Sequence, residues 1–311
     1  MIVYTDDVKY AQEILLKQVT WNSLGVNEVE EKVNRLANTL FEKKTIYSCN
    51  IPSHNFAEFI FIVNHASNSQ FSILQKLSEE NNQLQHGILC MAKSGRNFVG
   101  FKNRSWIGVP GNIHLSGFFS PQCPVLHYNI GFTIISAISV IQTMDSFHEL
   151  KDRASIKWVN DIVIENSKIG GVLTLTQSQG QNVTGVIIGI GINVERTPRV
   201  MPDIYVPKVS NLYDFMKDRF SCNKGIVFSK LVYFLNQNYI KLLNGDYPQL
   251  LKFYRERSII KGREVEIYSD PLKGKPQKLA EGKVISIGEN LELILDGIDK
   301  PVRNGRLVLK N

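Results

Sequence analysis

The sequence predicts an α+β protein, with helices and strands interspersed over most of its length and a small β-rich unit at its end. Three stretches predict it. Runs 162–164 and 169–175 are apolar and strand-like, and the polar tip Glu165-Asn166-Ser167 joins them as a β-hairpin. Residues 130–144 are mostly apolar, include Ser136, Ser139 and Gln142, and are too few to span a bilayer, so they read as a buried helix. From Glu264 onward, short alternating runs at 264–268, 284–287, 291–295 and 306–309 are separated by Gly, Asp and Asn. That pattern predicts a small β-barrel docked on the main domain.

At 311 residues the chain has room for one large domain with additions, or for two. Apolar residues make up 43% and charged residues 21%, the balance of a soluble globular protein. The net charge of +7 is accounted for by ordinary solubility, with at most a weak preference for acidic partners or nucleotide phosphates. Cys49, Cys90, Cys123 and Cys222 form no C-x-x-C pair and no cluster with zinc spacing, which predicts free thiols in a reducing compartment and no metal site. No basic segment leads into an apolar core near Met1, so no signal peptide, no membrane segment and a cytoplasmic location are expected.

Residues 1–55 read as a helical N-terminal extension. Val29, Val33, Leu36 and Leu40 recur at helical spacing, with Asn27 and Glu30 as a capping box, and a first helix around 8–19 packs beside them. No third helix or basic recognition face completes a helix-turn-helix, so nucleic acid is not an expected partner. Residues 56–63 feed a strand. Ser67-Asn68-Ser69-Gln70 then precedes the amphipathic run Phe71, Ile73, Leu74, Leu77. Ser and Asn there are good N-caps. The same helix start can also bind a polar ligand group.

Residues 87–91 read as a strand, and 92–105 as a loop containing Gly95, Arg96, Gly100, Lys102 and Arg104. Glycines and cations in one loop suit a phosphate, although most such loops are merely solvated. Trp106 closes the loop, and His114 in the next strand reads as an ordinary strand residue. In the hairpin, Asn160 and Asp161 precede the first run and Lys168 heads the second. A carboxylate and an ammonium so placed either face one pocket or form a solvated ion pair. Gly170-Gly171 leaves room for a ligand to approach the backbone. Residues 185–194 form a buried strand in which Gly189 and Gly191 leave a slot on one face. No helix with a third glycine follows, so it is not a dinucleotide fingerprint. Residues 198–223 are loop-rich, with a short helix at 212–216. An amphipathic helix through Phe228, Leu231, Leu235 and Leu242 follows, then a helical piece at 247–257.

Together these stretches resemble the biotin protein ligases, from about residue 56 to the end. Lys157-Trp158-Val159-Asn160-Asp161-Ile162 is similar to the family's K-W-P-N-D-I/L, with Val159 in place of proline. Lys168-Ile169-Gly170-Gly171-Val172-Leu173 is similar to K-I-G-G-I/V-L, and Gly189-Ile190-Gly191-Ile192-Asn193 to G-x-G-I/F-N. Ser67-Asn68-Ser69-Gln70 sits where the family has S-T-N/Q, and the residues from Asn112 to Ser116 fit N-L-Y-L-S. The resemblance implies a core like that of class II aminoacyl-tRNA synthetases at 56–258, a mixed and mostly antiparallel sheet with helices. It implies an SH3-like C-terminal domain at 259–311, and often a homodimer.

The implied reaction joins biotin and Mg-ATP (ATP with Mg2+) to biotinyl-5′-AMP, then passes biotin to a lysine of a biotin carboxyl carrier domain of a biotin-dependent carboxylase. Attack of one anion on another needs cationic neutralisation and positioning. By the resemblance, Lys168 supplies that charge and Asp161 orients or deprotonates the acceptor lysine, an amine almost wholly charged at pH 7. Ser67 and Asn68 hydrogen-bond the biotin ureido ring, and Ser69 is a further biotin- or adenylate-binding residue. Gly171, Gly189 and Gly191 make room for biotin's fused rings, Trp106 packs against the adenine or its lid, and Gly95, Gly100, Arg104, Asn160 and Asn193 are further biotin- or adenylate-binding residues. One block departs. Counted back from Trp106, the family's A-x-x-Q-x-x-G-R-G-R-x-x-x-x-W places Ala92 at the A, Gly95 at the Q and Phe98-Val99-Gly100-Phe101 at G-R-G-R. Both arginines are missing in that register; Gly95-Arg96 stands in only with an insertion, and Lys102 and Arg104 remain nearby. A catalytically weak biotin- or carrier-binding relative, or a lipoate-type acyl ligase of the same core, stays open at this point.

Overall fold

The computed structural model describes residues 1–52, 56–80, 84–271 and 274–310. In chain order the elements begin with β1 (Ile2–Thr5), α1 (Val8–Leu15), β2 (Asn22–Gly25), α2 (Glu31–Leu40), β3 (Thr45–Asn50), β4 (Phe59–Val63), α3 (Gln70–Glu79) and β5 (Ile88–Ala92). There follow β6 (Gly95–Val99), β7 (Ser105–Gly108), β8 (Ile113–Phe119), β9 (Cys123–Pro124), α4 (Tyr128–Asp145), β10 (Ala154–Lys157), β11 (Asp161–Ile164), β12 (Ser167–Gln179) and β13 (Asn182–Ile192). The last are α5 (Lys224–Leu243), α6 (Tyr247–Glu256), β14 (Glu264–Tyr268), β15 (Lys278–Ile287), β16 (Leu293–Leu295) and β17 (Arg306–Leu309).

The main sheet runs β10-β11-β12-β13-β8-β5-β4-β1-β3-β2, with β9 beside β13. It is mixed and mostly antiparallel, as expected; β4 is parallel to both β1 and β5. Strands that are apolar at every position show that both faces are covered. Phe59, Phe61 and Val63 of β4 pack under α2 and α3, whereas Ile60 and Ile62 face α1, α4 and α5. The buried helix expected at 130–144 is α4. Its hydroxyls stay satisfied by bonding back along the helix, Ser136 to Phe132 O at 2.7 Å and Thr143 to Ser139 O at 2.7 Å. Asn238 of α5 donates to Ser139 Oγ at 2.9 Å, joining the two helices. Each large apolar side chain buried in this layer contributes about 1.5–3 kcal/mol.

Three expectations change. Residues 1–50 are not a helical extension: α1 and α2 alternate with three strands, and β1 enters the main sheet between β3 and β4. The expected boundary at residue 55 lies outside the described residues. The Asn27/Glu30 capping box is not formed; Glu28 Oε2 instead accepts from Gly25 N–H at 2.5 Å. The tail is a four-stranded antiparallel sheet, β16-β15-β14-β17, and not a closed barrel. Its end strands do not pair, because the short β16 is bridged instead by Val302 through Leu293. Val265, Ile267, Val284 and Leu307 of this sheet share one core with Leu250 and Tyr254 of α6.

Candidate active site

Three cross-strand rows on the α3 face of the sheet change in size. The first, Leu175–Ile187–Phe118, is apolar and packs beneath the helices. The second is Leu173–Gly189–Ser116 and the third Gly171–Gly191–His114. Losing side-chain bulk along these rows opens a cavity of about 440 Å³.

Two rings fill part of that hollow. A Cβ on Gly189 would lie 3.1 Å from the Phe71 ring, and one on Gly191 only 2.4 Å from the Trp106 indole. The indole N–H donates to His114 Nδ1 at 3.2 Å, and His114 Nε2 donates to Val109 O at 3.0 Å. His114 is therefore the neutral Nε2–H tautomer, and burial pushes its pKa down to about 4. It is the orienting partner of Trp106 rather than an ordinary strand residue.

The hairpin forms one wall. Glu165 and Asn166 make its turn with φ of 48° and 63°, the signs of a type I′ turn. Ile162 pairs with Gly170 but Val163 with Lys168, so Ile169 is an extra, bulged residue in β12. Lys168 Nζ consequently meets Asp161 Oδ1 at 2.6 Å. Gly171 leaves both groups open to the cavity: a Cβ there would lie 3.7 Å from Asp161 Oδ1 and from Lys168 Cε. Asn160 fixes the preceding turn, donating to Val172 O at 2.6 Å and accepting from Val172 N at 3.0 Å. Where the family has proline, the Trp158–Val159 peptide is cis. Trp158 Nε1 donates to Leu291 O at 2.6 Å, and Tyr254 donates to Val159 O at 2.7 Å.

Loop 198–209 and the end of the C-terminal sheet close the other side. Lys157, across from Asp161 in the β10–β11 register, donates to Tyr205 O at 2.5 Å. Burial pushes the Lys157 ammonium pKa down, with Asp161 opposing the shift. The Arg306 guanidinium lies 3.5 Å over the Tyr205 ring and 3.3 Å from Asp203.

Of the residues singled out from sequence, Ser69, Gly100, Arg104, Trp106, Asn160 and Asp161 line the cavity, as do Lys168, Gly171, Gly189 and Gly191. Ser69 also caps α3, accepting from Ser72 N–H at 3.5 Å. Four do not line it. Ser67 and Asn68 are exposed, and Ser67 is bonded to Glu42, because only the inward turn of the cap faces the sheet. Gly95 is packed against the Phe98 ring, which fills the hollow left by Gly95 and Gly108. Asn193 is buried behind the wall, donating to Ser210 O at 3.0 Å. The expected 92–105 loop is a hairpin, β6 with β7, and Arg96 on it is exposed and outside the cavity. Sequence reasoning missed Gln70, Tyr205, Arg303 and Arg306 as lining residues. A basic cluster near the C-terminus was the only available signal for the last two.

Among the described residues, no three His, Cys, Asp or Glu side chains are grouped to hold a metal ion. Among them, no helix is long and apolar enough to cross a membrane.

Residues 61–193 match the biotin/lipoate A/B protein ligase family. The bifunctional ligase/repressor BirA of Bacillus subtilis is 35% identical over 135 residues, 42% of this chain and 41% of that protein. The biotin–[acetyl-CoA-carboxylase] ligase of Paracoccus denitrificans is 26% identical over 99 residues, 32% of this chain and 41% of that one. The chain thus spans about two-fifths of the length of these curated relatives. The biotin protein ligase of Aquifex aeolicus, solved with biotin and ATP, has the same fold at a TM-score of 0.61 and 21% identity, covering 81% of this chain and 99% of that one. Residues 61–193 thus match the biotin/lipoate A/B protein ligase family model, and 81% of the chain shares the fold of the Aquifex aeolicus biotin protein ligase.

Proposed function

We propose that the chain is an ATP-dependent biotin protein ligase, acting on a lysine of a biotin carboxyl carrier domain. The observation that carries this reading is the Lys168–Asp161 pair, 2.6 Å apart, in the wall of a cavity floored by Gly171, Gly189 and Gly191. In the first step a biotin carboxylate oxygen bonds to the α-phosphorus of ATP and pyrophosphate leaves. Two anions must meet, and Lys168 and Lys157 bring cations to the same wall. Mg2+ enters with the ATP as part of that substrate. In the second step the acceptor amine attacks the acyl carbon and AMP leaves, while Asp161 orients the amine and takes its proton. The glycine rows give the fused rings of biotin a flat floor, Ser69 and Gln70 supply polar groups at its inner end, and Trp106 moves off Gly191 to admit it.

The test is intact mass of a carrier domain after incubation with the chain, biotin and Mg-ATP. A biotin-sized increment is expected. Its absence at high enzyme concentration overturns the reading in favour of a catalytically weak biotin- or carrier-binding relative. That second reading is favoured by one observation: Val99 and Phe101 stand where the family's loop arginines do.

A further inference from the structure

The glycine slot already holds a ring of this chain. The indole of Trp106 lies 2.4 Å from where a Cβ on Gly191 would stand. Gly191 faces His114 across the β13–β8 register, and the indole N–H is turned along that row to His114 Nδ1 at 3.2 Å. His114 spends its own proton on Val109 O, just beyond β7, so one side chain grips that strand near both its ends. Phe98, paired with Trp106 in the hairpin, packs edge-on against the same imidazole at 5.4 Å. Lys168 Nζ lies 6.0 Å from the indole centroid. The β6–β7 hairpin forms a two-stranded sheet apart from the main one. Its base is tied by Ala66, which bridges to Gly95 and accepts from Arg96 N–H at 2.9 Å. A two-stranded ribbon is marginal by itself, so the bond at Trp106 decides whether the slot is shut.

We propose that His114 is a positioning residue that latches Trp106 over the glycine floor, so that the resting chain is closed on itself and a ring ligand enters when the Trp106–His114 bond breaks. Biotin as that ligand rests on the ligase reading above. A ligand that binds the unlatched chain has its affinity reduced by the unlatched fraction. Loss of the latch therefore tightens biotin binding and speeds association. Loss of a biotin contact, or of a structural support, would do the opposite.

The test uses the full chain, isotope-labelled at the tryptophan nitrogens, and three variants. His114→Phe keeps a ring of similar size without an acceptor, and His114→Gln keeps an acceptor. Trp106→Phe removes the donor, leaves His114 in place, and assigns the Trp106 Nε1–H resonance by its disappearance. Biotin is titrated by calorimetry and its association followed by stopped flow, without ATP. His114→Phe and Trp106→Phe are expected to bind biotin about two- to ten-fold tighter, the reach of one net hydrogen bond, with association faster by a similar factor. His114→Gln is expected to stay within about two-fold of the unaltered chain. Biotin affinity equal to or weaker than that of the unaltered chain in both ring variants overturns the proposal. If His114→Phe does not fold, Trp106→Phe decides by the same criterion. If no form of the chain takes up biotin, the ligase reading fails, and the latch is judged on solvent exchange of the Trp106 Nε1–H. Exchange about two- to ten-fold faster in His114→Phe than in His114→Gln upholds it, and equal exchange overturns it.

Discussion

Lys168 Nζ lies 2.6 Å from Asp161 Oδ1 because Ile169 bulges from β12. Without the bulge, Lys168 would stand opposite Ile164 and point into the core under α4, since one residue of slip turns a strand's side chains to the other face. Ile162, Ile164 and Ile169 fill that core.

Lys168→Ala and Asp161→Ala are each expected to slow the proposed transfer about 10²–10³-fold, the usual loss on removing one charge-stabilising group. Thermal unfolding should move little, because a partly exposed pair contributes at most about 1 kcal/mol. Single-turnover mass measurements beside melting curves separate the two effects. A Lys168→Ala chain with full activity would refute the assignment.

Gly191→Ala places a Cβ where the indole of Trp106 lies. Overpacking of this kind costs about 1–3 kcal/mol. The indole should leave His114, and Trp106 emission should shift to the red. In the unaltered chain, biotin should produce a change of the same sign as it displaces the ring. Emission unaltered by both would show that Trp106 does not occupy the slot.

His114 gives stability a pH dependence of known sign. Its pKa is about 4 in the fold and near 6.5 unfolded, so between these values the unfolded chain binds the extra proton. The contribution of neutral His114 is complete above pH 6.5, is lost as pH falls toward 4, and levels off below. Its full size is about 3 kcal/mol. Urea unfolding at pH 7 and pH 4.5 measures it, and His114→Gln should flatten the difference.

Arg257 ties α6 to the end of α4, with Nη1 2.7 Å and Nη2 3.0 Å from the two Asp145 oxygens and a further bond from Nη2 to Ala154 O at 2.6 Å. Arg257→Met removes these charge-assisted hydrogen bonds from a partly buried pair and should cost about 1–3 kcal/mol. The folded fraction should keep its kcat, since Arg257 does not line the cavity. A chemical denaturation midpoint unchanged from the unaltered chain would rule this out.

Much of the fold and half of the site were legible because their signals are local. The helix α4, the hairpin of β11 and β12 and the glycines of β13 each lie within one continuous stretch, where spacing and turn residues suffice. The strands of the first 50 residues were hidden. β1 is four residues long, and its partners β3 and β4 lie more than 40 residues away, so helical spacing in α2 dominated the reading. Ser67 and Asn68 looked equivalent to Ser69, but a helix start turns only one side toward the sheet.

By itself the sequence determined the α+β class, the glycine floor and the presence of a Lys/Asp pair at the head of one hairpin. Only the tertiary structure decided that the pair faces the cavity, because the bulge at Ile169 sets which side of the sheet Lys168 occupies. Only it decided that Arg306 reaches the same cavity from a strand more than 130 residues further along. Spacing rules describe neighbours on one element, whereas a packed core brings together residues whose separation in the chain carries no periodic signal.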